Sequence, residues 1–323
     1  MRRNGWRVLR RALLTALALP GLAPGPAMAE AYPDRAVRVV VPFSPGGNVD
    51  KIARLLAPAW AAALRQPFVV ENRAGAGGSL GAGAVAGARP DGYTLLAGSD
   101  GAVLLDPANP GGLVDPLTRF APIGLLSRSY SAIFVGPASP FKDAAGMVAA
   151  AKARPGRLSI GHPGTGTSGH ELARRFARQA GIELVEVAYR GGGEALADVL
   201  AGNLDALSTE LSTLLPLVQG GRGSLVGVAA AQPVAVVPGA ATFVAQGFAG
   251  LLEGAFVGLL APLGTPAAVL RVLAGTLAQS VAAPGMAAEY ARLAIDPPTP
   301  EQATPEGFRA FLVERLARGM AGL

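Results

Sequence analysis

The side chains best suited to chemistry gather in two short segments rich in glycine and hydroxyl groups. The first, Pro42-Phe43-Ser44-Pro45-Gly46-Gly47-Asn48-Val49-Asp50, follows an apolar run and precedes a helical pattern. Its glycines can present backbone N–H groups to a ligand, and a helix start immediately after them favours an anion. The same residues also make an ordinary tight turn in which Asn48 or Asp50 caps the helix, and residue type alone does not separate the two. The second segment, Gly161-His162-Pro163-Gly164-Thr165-Gly166-Thr167-Ser168-Gly169-His170, has the same strand-to-helix setting. Thr165, Thr167 and Ser168 offer hydroxyls, and the glycines permit close backbone approach.

Three enzyme patterns begin in the second segment, and each breaks at an identifiable residue. Gly164, Gly166 and Gly169 have the GxGxxG spacing of a dinucleotide-binding turn, but three residues separate Ile160 from Gly164 and the motif lies mid-chain. A nucleophile elbow fails because His170 stands where its last glycine belongs. His170-Glu171-Leu172-Ala173-Arg174 opens like a zinc-protease helix and ends on arginine in place of the second histidine. With two histidines and no cysteine, a metal centre or a general-base histidine has little material. What survives is a pair of loops able to hold a carboxylate by amides and hydroxyls. A hydrogen bond to a charged group contributes about 1.5–3 kcal/mol, and a helix end about 0.3–1, up to ~2 when sheltered. Micromolar binding needs about 8 kcal/mol net, which two such loops together can supply and one cannot.

The elements that must position these loops alternate between strand and helix. Ala36 to Val41, Pro67 to Glu71 and Tyr93 to Ala97 read as strands, with helices over Asn48 to Leu64 and Ser79 to Ala88 between them. A loop-rich stretch from Gly98 to Pro122 follows. Further strands are expected at Ile133 to Val135, Leu158 to Ile160, Leu184 to Ala188, Leu204 to Leu207 and Leu225 to Ala229. Asp143 to Ala153, Ser168 to Ala180, Glu194 to Ala201 and Leu211 to Gln219 are the helices of that series. Ala255 to Leu260 is a last strand, followed by helices near Pro266 to Val281, Met286 to Leu293 and Pro305 to Gly319. Apolar strands alternating with helices indicate an α/β fold of mainly parallel sheets covered on both faces. The economical arrangement has two lobes, residues 30–130 plus 252–323 and residues 131–251. Ligand is expected between them, outside the carboxyl ends of the strands.

Composition excludes several function classes. Met1 to Arg11 carries five arginines and no acid, Ala12 to Leu19 is a short apolar core, and Ala27-Met28-Ala29 supplies a cleavage pattern. Residues 1–29 therefore read as a secretory signal peptide, which implies the periplasm. Beyond it, 23 basic and 22 acidic side chains leave a net charge of +1, so the overall +6 is no sign of a nucleic-acid surface. Absence of cysteine excludes disulfides, thiolate metal sites and a lipidated N-terminal cysteine. No cofactor, metal or catalytic residue is expected, and the protein should be a monomer. A secreted NAD-dependent oxidoreductase using Gly164, Gly166 and Gly169 is the alternative, disfavoured because free NAD is scarce outside the cytoplasm.

The segments taken together resemble the substrate-binding components of tripartite tricarboxylate transporters, the Bug (TctC-like) family. The resemblance is carried by Tyr32-Pro33-Asp34-Arg35, Val41 to Asp50, Val70-Glu71-Asn72-Arg73-Ala74-Gly75-Ala76-Gly77-Gly78 and Pro90-Asp91-Gly92-Tyr93-Thr94-Leu95-Leu96. It continues through Asp115-Pro116-Leu117, Gly164 to His170, Tyr189-Arg190-Gly191-Gly192 and Leu259 to Pro266. It implies a two-lobed periplasmic-binding-protein fold (type II-like) that closes on a small carboxylate, for delivery to a tripartite permease or for sensing. The ligand-binding residues it implies are Phe43, Ser44, Gly46, Gly47, Asn48, Asp50, Ser99, Gly164, Thr165, Gly166, Thr167, Ser168, His170, Tyr189 and Thr209. The chain departs from the family at Ser208-Thr209-Glu210, where Phe-Asp-Asn is common. Thr209 there replaces an aspartate able to meet a ligand amino group, which weakens an amino-acid ligand. Glu210 is expected to point to solvent at a helix start. Asp100 is expected near the cleft, where it would repel an anion unless turned away.

Overall fold

The computed structural model describes residues 32–104, 115–252 and 254–321. The signal-peptide reading of residues 1–29 lies outside the described residues. Strands β1 (Val37–Val41), β2 (Phe68–Asn72) and β3 (Thr94–Gly98) form a parallel trio in the order β2-β1-β3. A second parallel trio is made by β5 (Ser159–His162), β6 (Val185–Ala188) and β7 (Ala206–Glu210), ordered β7-β5-β6. Each β1, β3 and β7 strand is nearly all buried, as strands covered on both faces must be.

Two long strands run antiparallel to these trios and join them. Strand β4 (Phe120–Val135) is 16 residues long. Its first part pairs with β9 (Gly254–Pro262) and with the short β10 (Ile295–Asp296), and its last five residues pair with β7 and with β8 (Ser224–Val228). β9 in turn pairs with β3, giving the path β2-β1-β3-β9-β4-β7-β5-β6. The expectation of a loop up to Pro122 and a strand only from Ile133 is therefore corrected. Pro122, Gly124 and the serines at 127, 129 and 131 look like loop chemistry, but register shifts at Pro122/Gly124 and Leu125/Ser127 absorb the irregularity. Part of the expected loop is also helical, at α3 (Asp100–Val103).

Helices cover both halves. α1 (Asn48–Leu64) buries Val49, Ile52, Ala53, Leu56, Ala57 and Trp60 on one stripe, the spacing of an amphipathic helix. α2 (Ser79–Ala86), α8 (Ala267–Val281), α9 (Met286–Arg292) and α10 (Pro305–Ala321) complete the first half, whose core includes Trp60, Phe120, Phe256, Tyr290 and Phe308. α4 (Ala144–Ala153), α5 (Ser168–Ala180), α6 (Gly192–Ala201) and α7 (Leu211–Gln219) flank the second sheet. One face of that sheet is packed by Met147, Leu172, Phe176 and Phe243, and the other by Leu207, Leu211 and Leu214. α5 shows how local sequence sets an element. Thr167 caps it by accepting the His170 N–H at 3.4 Å, Leu172, Ala173 and Phe176 are buried, and Gly181 ends it at φ 60°.

Candidate functional site

The turns at the carboxyl ends of β1, β3, β5, β6 and β7 meet where the two halves face each other. They enclose a cavity of about 20 Å³, room for about one water molecule, between Phe43, Gly47, Asn48, Ser99, Thr167, Ser168, Gly192 and Glu210. Asn48, Ser168 and Gly192 are the first residues of α1, α5 and α6, and Glu210 immediately precedes α7. Four helix N-termini therefore converge on one point. Their unpaired N–H groups and aligned dipoles make it hospitable to negative charge without a cation.

The two halves touch directly around this cavity. Ser44 N–H donates to the Arg190 carbonyl at 3.0 Å, and Ser212 Oγ donates to Asn48 Oδ1 at 2.8 Å. Lys51 Nζ donates to the Ser212 carbonyl. Backbones pack closely enough that a methyl at Gly193 would strike the Pro45 carbonyl, and one at Gly77 the Thr165 carbonyl. This is a closed cleft. The Ser44 and Thr213 hydroxyls are buried with no hydrogen-bond partner among the described residues.

The structure divides the expected site residues into those that line the cavity and those that hold its walls. Phe43, Gly47, Asn48, Ser99, Thr167 and Ser168 line it. Asn48 is braced on both sides, its Nδ2 donating to Ser129 Oγ at 3.1 Å and its Oδ1 accepting from Ser212. Neither Asn48 nor Asp50 caps α1; Gly47 occupies the cap position. Asp50 instead knits the first loop, accepting from Gly46 N–H at 3.0 Å, Arg54 Nε at 2.9 Å and Asn72 Nδ2 at 2.9 Å. Burial alone would raise its pKa, but these hydrogen bonds and the Arg54 charge outweigh burial and hold the carboxyl below its ordinary range.

In the second loop the amides of Gly164 and Gly166 are already used. Gly164 N–H donates to His162 Nδ1 at 3.3 Å and Gly166 N–H to His170 Nδ1 at 3.1 Å, while Thr167 Oγ1 donates to the Gly164 carbonyl at 2.7 Å. The diphosphate cradle that the GxGxxG spacing could have formed is thus unavailable to a cofactor. Thr165 is exposed and does not line the cavity. His170 points Nε2 at Glu186, 3.3 Å away, so its role is to support the loop. Tyr189 donates to Asp198 at 2.6 Å, and burial with that hydrogen bond pushes its phenol up to about 12. Thr209 is fully buried, with Oγ1 on Glu210 Oε2 at 2.8 Å.

The chain's two histidines come together with ring centroids 4.5 Å apart, and with Glu186 they could in principle surround an ion. The hydrogen bonds argue against that use. Both Nδ1 atoms face loop N–H groups and His170 Nε2 already faces Glu186, so the rings are committed to bracing the loop. Burial, with the neighbouring His170, lowers the His162 pKa to about 4, keeping it neutral in that role.

Two acids reach the cavity, Asp100 as expected and Glu210 against expectation. Glu210, expected to face solvent, is buried instead, with Oε1 accepting from Ser168 Oγ at 3.2 Å. Burial pushes its carboxyl up. Asp100 does line the cavity, but its charge is met by Arg315 of α10, whose Nε lies 2.8 Å and Nη2 2.7 Å from Oδ1. The expected repulsion of an anion by Asp100 is therefore relieved internally. Arg315 also borders a second cavity of about 340 Å³, behind Phe256 and beside Arg128 and Tyr130.

Known proteins resemble this chain in sequence and in fold. The family model described as tripartite tricarboxylate transporter family receptor, TctC, matches residues 52–318. A UPF0065 protein from the tcbD-tcbE intergenic region of Pseudomonas sp. (strain P51) is 33% identical over 267 residues, 82% of this chain and 80% of that protein. A solved structure of a periplasmic transporter is 34% identical, with a TM-score of 0.84 over 90% of this chain and 96% of its own. MatC (Rpa3494) from Rhodopseudomonas palustris with bound malate is 29% identical, with a TM-score of 0.83 over 89% of this chain and 98% of its own. The ordered motifs, the two-lobed α/β fold and these matches together place the chain in the TctC family of tripartite tricarboxylate transporter receptors, a family of binding proteins and not of enzymes.

Proposed function

We propose that this chain captures a small carboxylate in the cleft between its two halves and presents it to a tripartite membrane permease or to a sensor. The observation that carries the reading is the convergence of four helix N-termini on one closed cavity with no cationic side chain among its described lining residues. Such a site suits an anion held by backbone amides and hydroxyls. MatC, a similar protein, has malate bound, a small carboxylate. We assign the carboxylate to the starts of α1 and α5, at Gly47, Asn48 and Ser168, with Phe43 and Ser99 as walls. Residues 30–130 plus 252–323 and residues 131–251 are assigned as the two lobes, with β4 and the segment that leads into β9 passing between them. The protein acts as a monomer in the periplasm after loss of residues 1–29.

Native mass spectrometry of the gently purified protein, followed by a thermal-shift panel of mono-, di- and tricarboxylates, tests this. A ligand that favours the closed form raises the melting temperature with concentration. A co-purified dinucleotide, or a panel without any concentration-dependent shift, would overturn the reading.

A further inference from the structure

Glu210 is the one acid at the cavity without a counter-charge. Asp100 is met by two nitrogens of Arg315, whereas Glu210 receives only the neutral hydroxyls of Ser168, at 3.2 Å, and Thr209, at 2.8 Å. No ion pair to Glu210 occurs among the described residues, although its side chain is buried at the cavity wall. Those partners are hydroxyls, which neutralise no charge, and burial without a counter-charge pushes the carboxyl up. Ionising it unpaired is unfavourable, whereas a cation arriving beside it favours the charged form, and it stands within the same small cavity as the helix starts that attract an anion.

We propose that the molecule taken into this cleft is a carboxylate that also carries a positively charged N–H group. Its carboxylate lies at the starts of α1 and α5, and its cationic nitrogen is seated on Glu210. The idea rests on the carboxylate reading above and narrows it. A ligand with a second negative charge would set that charge against Glu210; a zwitterion completes the ion pair the protein leaves open. Ser168, at the start of α5, lies 3.2 Å from Glu210, which requires a short ligand with its two charged groups separated by a few bonds. The inference also reverses the expectation from Thr209: the carboxylate absent at that position is supplied by the next residue, turned inward by the hydroxyls of Ser168 and Thr209.

Calorimetric titrations with matched pairs test it: glycine against acetate, β-alanine against propionate, and aspartate against succinate, on the parent protein and on Glu210→Gln. Glutamine keeps the shape and an acceptor oxygen, and circular dichroism of the variant checks its fold. The expected result is that an amino-carboxylate binds more tightly than its partner lacking nitrogen, and that Glu210→Gln weakens it by about 10- to 100-fold. The same variant should weaken the amino-carboxylates more than their partners lacking nitrogen. Tighter binding of the partners lacking nitrogen, or amino-carboxylate binding that survives Glu210→Gln, overturns the zwitterion proposal while the carboxylate reading stands. Failure of all six compounds to bind counts against both.

Discussion

Alanine at Gly193 should separate closure of the cleft from stability of the fold. Gly193 is the second residue of α6, and its backbone is not in the left-handed region, so a side chain introduces no local strain. Inside a helix alanine is favoured over glycine by about 0.5–1 kcal/mol. Across the cleft the effect has the opposite sign. The added methyl would run into the Pro45 carbonyl oxygen and lie 3.3 Å from Gly47 N. Those are backbone atoms of the ligand-facing turn, unable to swing aside as a flexible side chain would. Overpacking of this kind costs about 1–3 kcal/mol. An open cleft escapes the clash, so the penalty falls on the closed state alone and affinity drops by the same factor, about 5- to 150-fold. Titration calorimetry with the tightest carboxylate of the panel measures that loss, and thermal melting of the unliganded variant measures the fold. The expected pair of results is weakened binding with an unchanged or raised melting temperature. Parent-like affinity would refute the Pro45–Gly193 contact as part of the bound state. A lowered melting temperature without ligand would refute the premise that the halves can separate.

Acid should destabilise the protein through His162, which titrates at about 4 in the fold against an ordinary 6.5. Its folded pKa is depressed, so the unfolded chain takes up the proton first; stability is intact above about pH 6.5 and falls as the pH drops towards 4, by a few kcal/mol at most. Denaturant titrations at pH 7 and pH 5 measure this, and His162→Asn, which keeps an acceptor for Gly164 N–H, should flatten the dependence. Arg315→Met should remove about 2–4 kcal/mol of stability by stranding Asp100, whose side chain is only 11% exposed. Adding Asp100→Asn should restore most of that loss in the same denaturant assay; an unrestored double variant would mean that Arg315 acts through packing.

Local pattern determined much of the fold. α1, α5 and α7 span the residues that apolar spacing assigns them, because 3.6-residue periodicity, a capping Thr167 and turn glycines act within a few residues. The two ligand-facing loops were legible for the same reason: glycines and hydroxyls between a strand and a helix start are local chemistry. β4 was legible only at its end, since a strand built from Pro122, Gly124 and alternating serines depends on partners in β7, β8, β9 and β10 that local pattern cannot supply.

Within the site, sequence determined the kinds of groups available, and tertiary structure decided which of them remain free. Gly164 and Gly166 look like open donors, yet His162 and His170 take their N–H groups. Asn48 and Asp50 look like caps, yet one braces Ser129 and Ser212 and the other gathers Gly46, Arg54 and Asn72. Asp100 looks like a repulsive charge until Arg315, 215 residues away, cancels it. Glu210 looks like a solvated helix-start acid until Ser168 turns it inward. A residue's type fixes what it can donate, accept or charge; whether that capacity is spent inside the protein or left for a ligand depends on neighbours brought from far along the chain, and only the folded structure brings them.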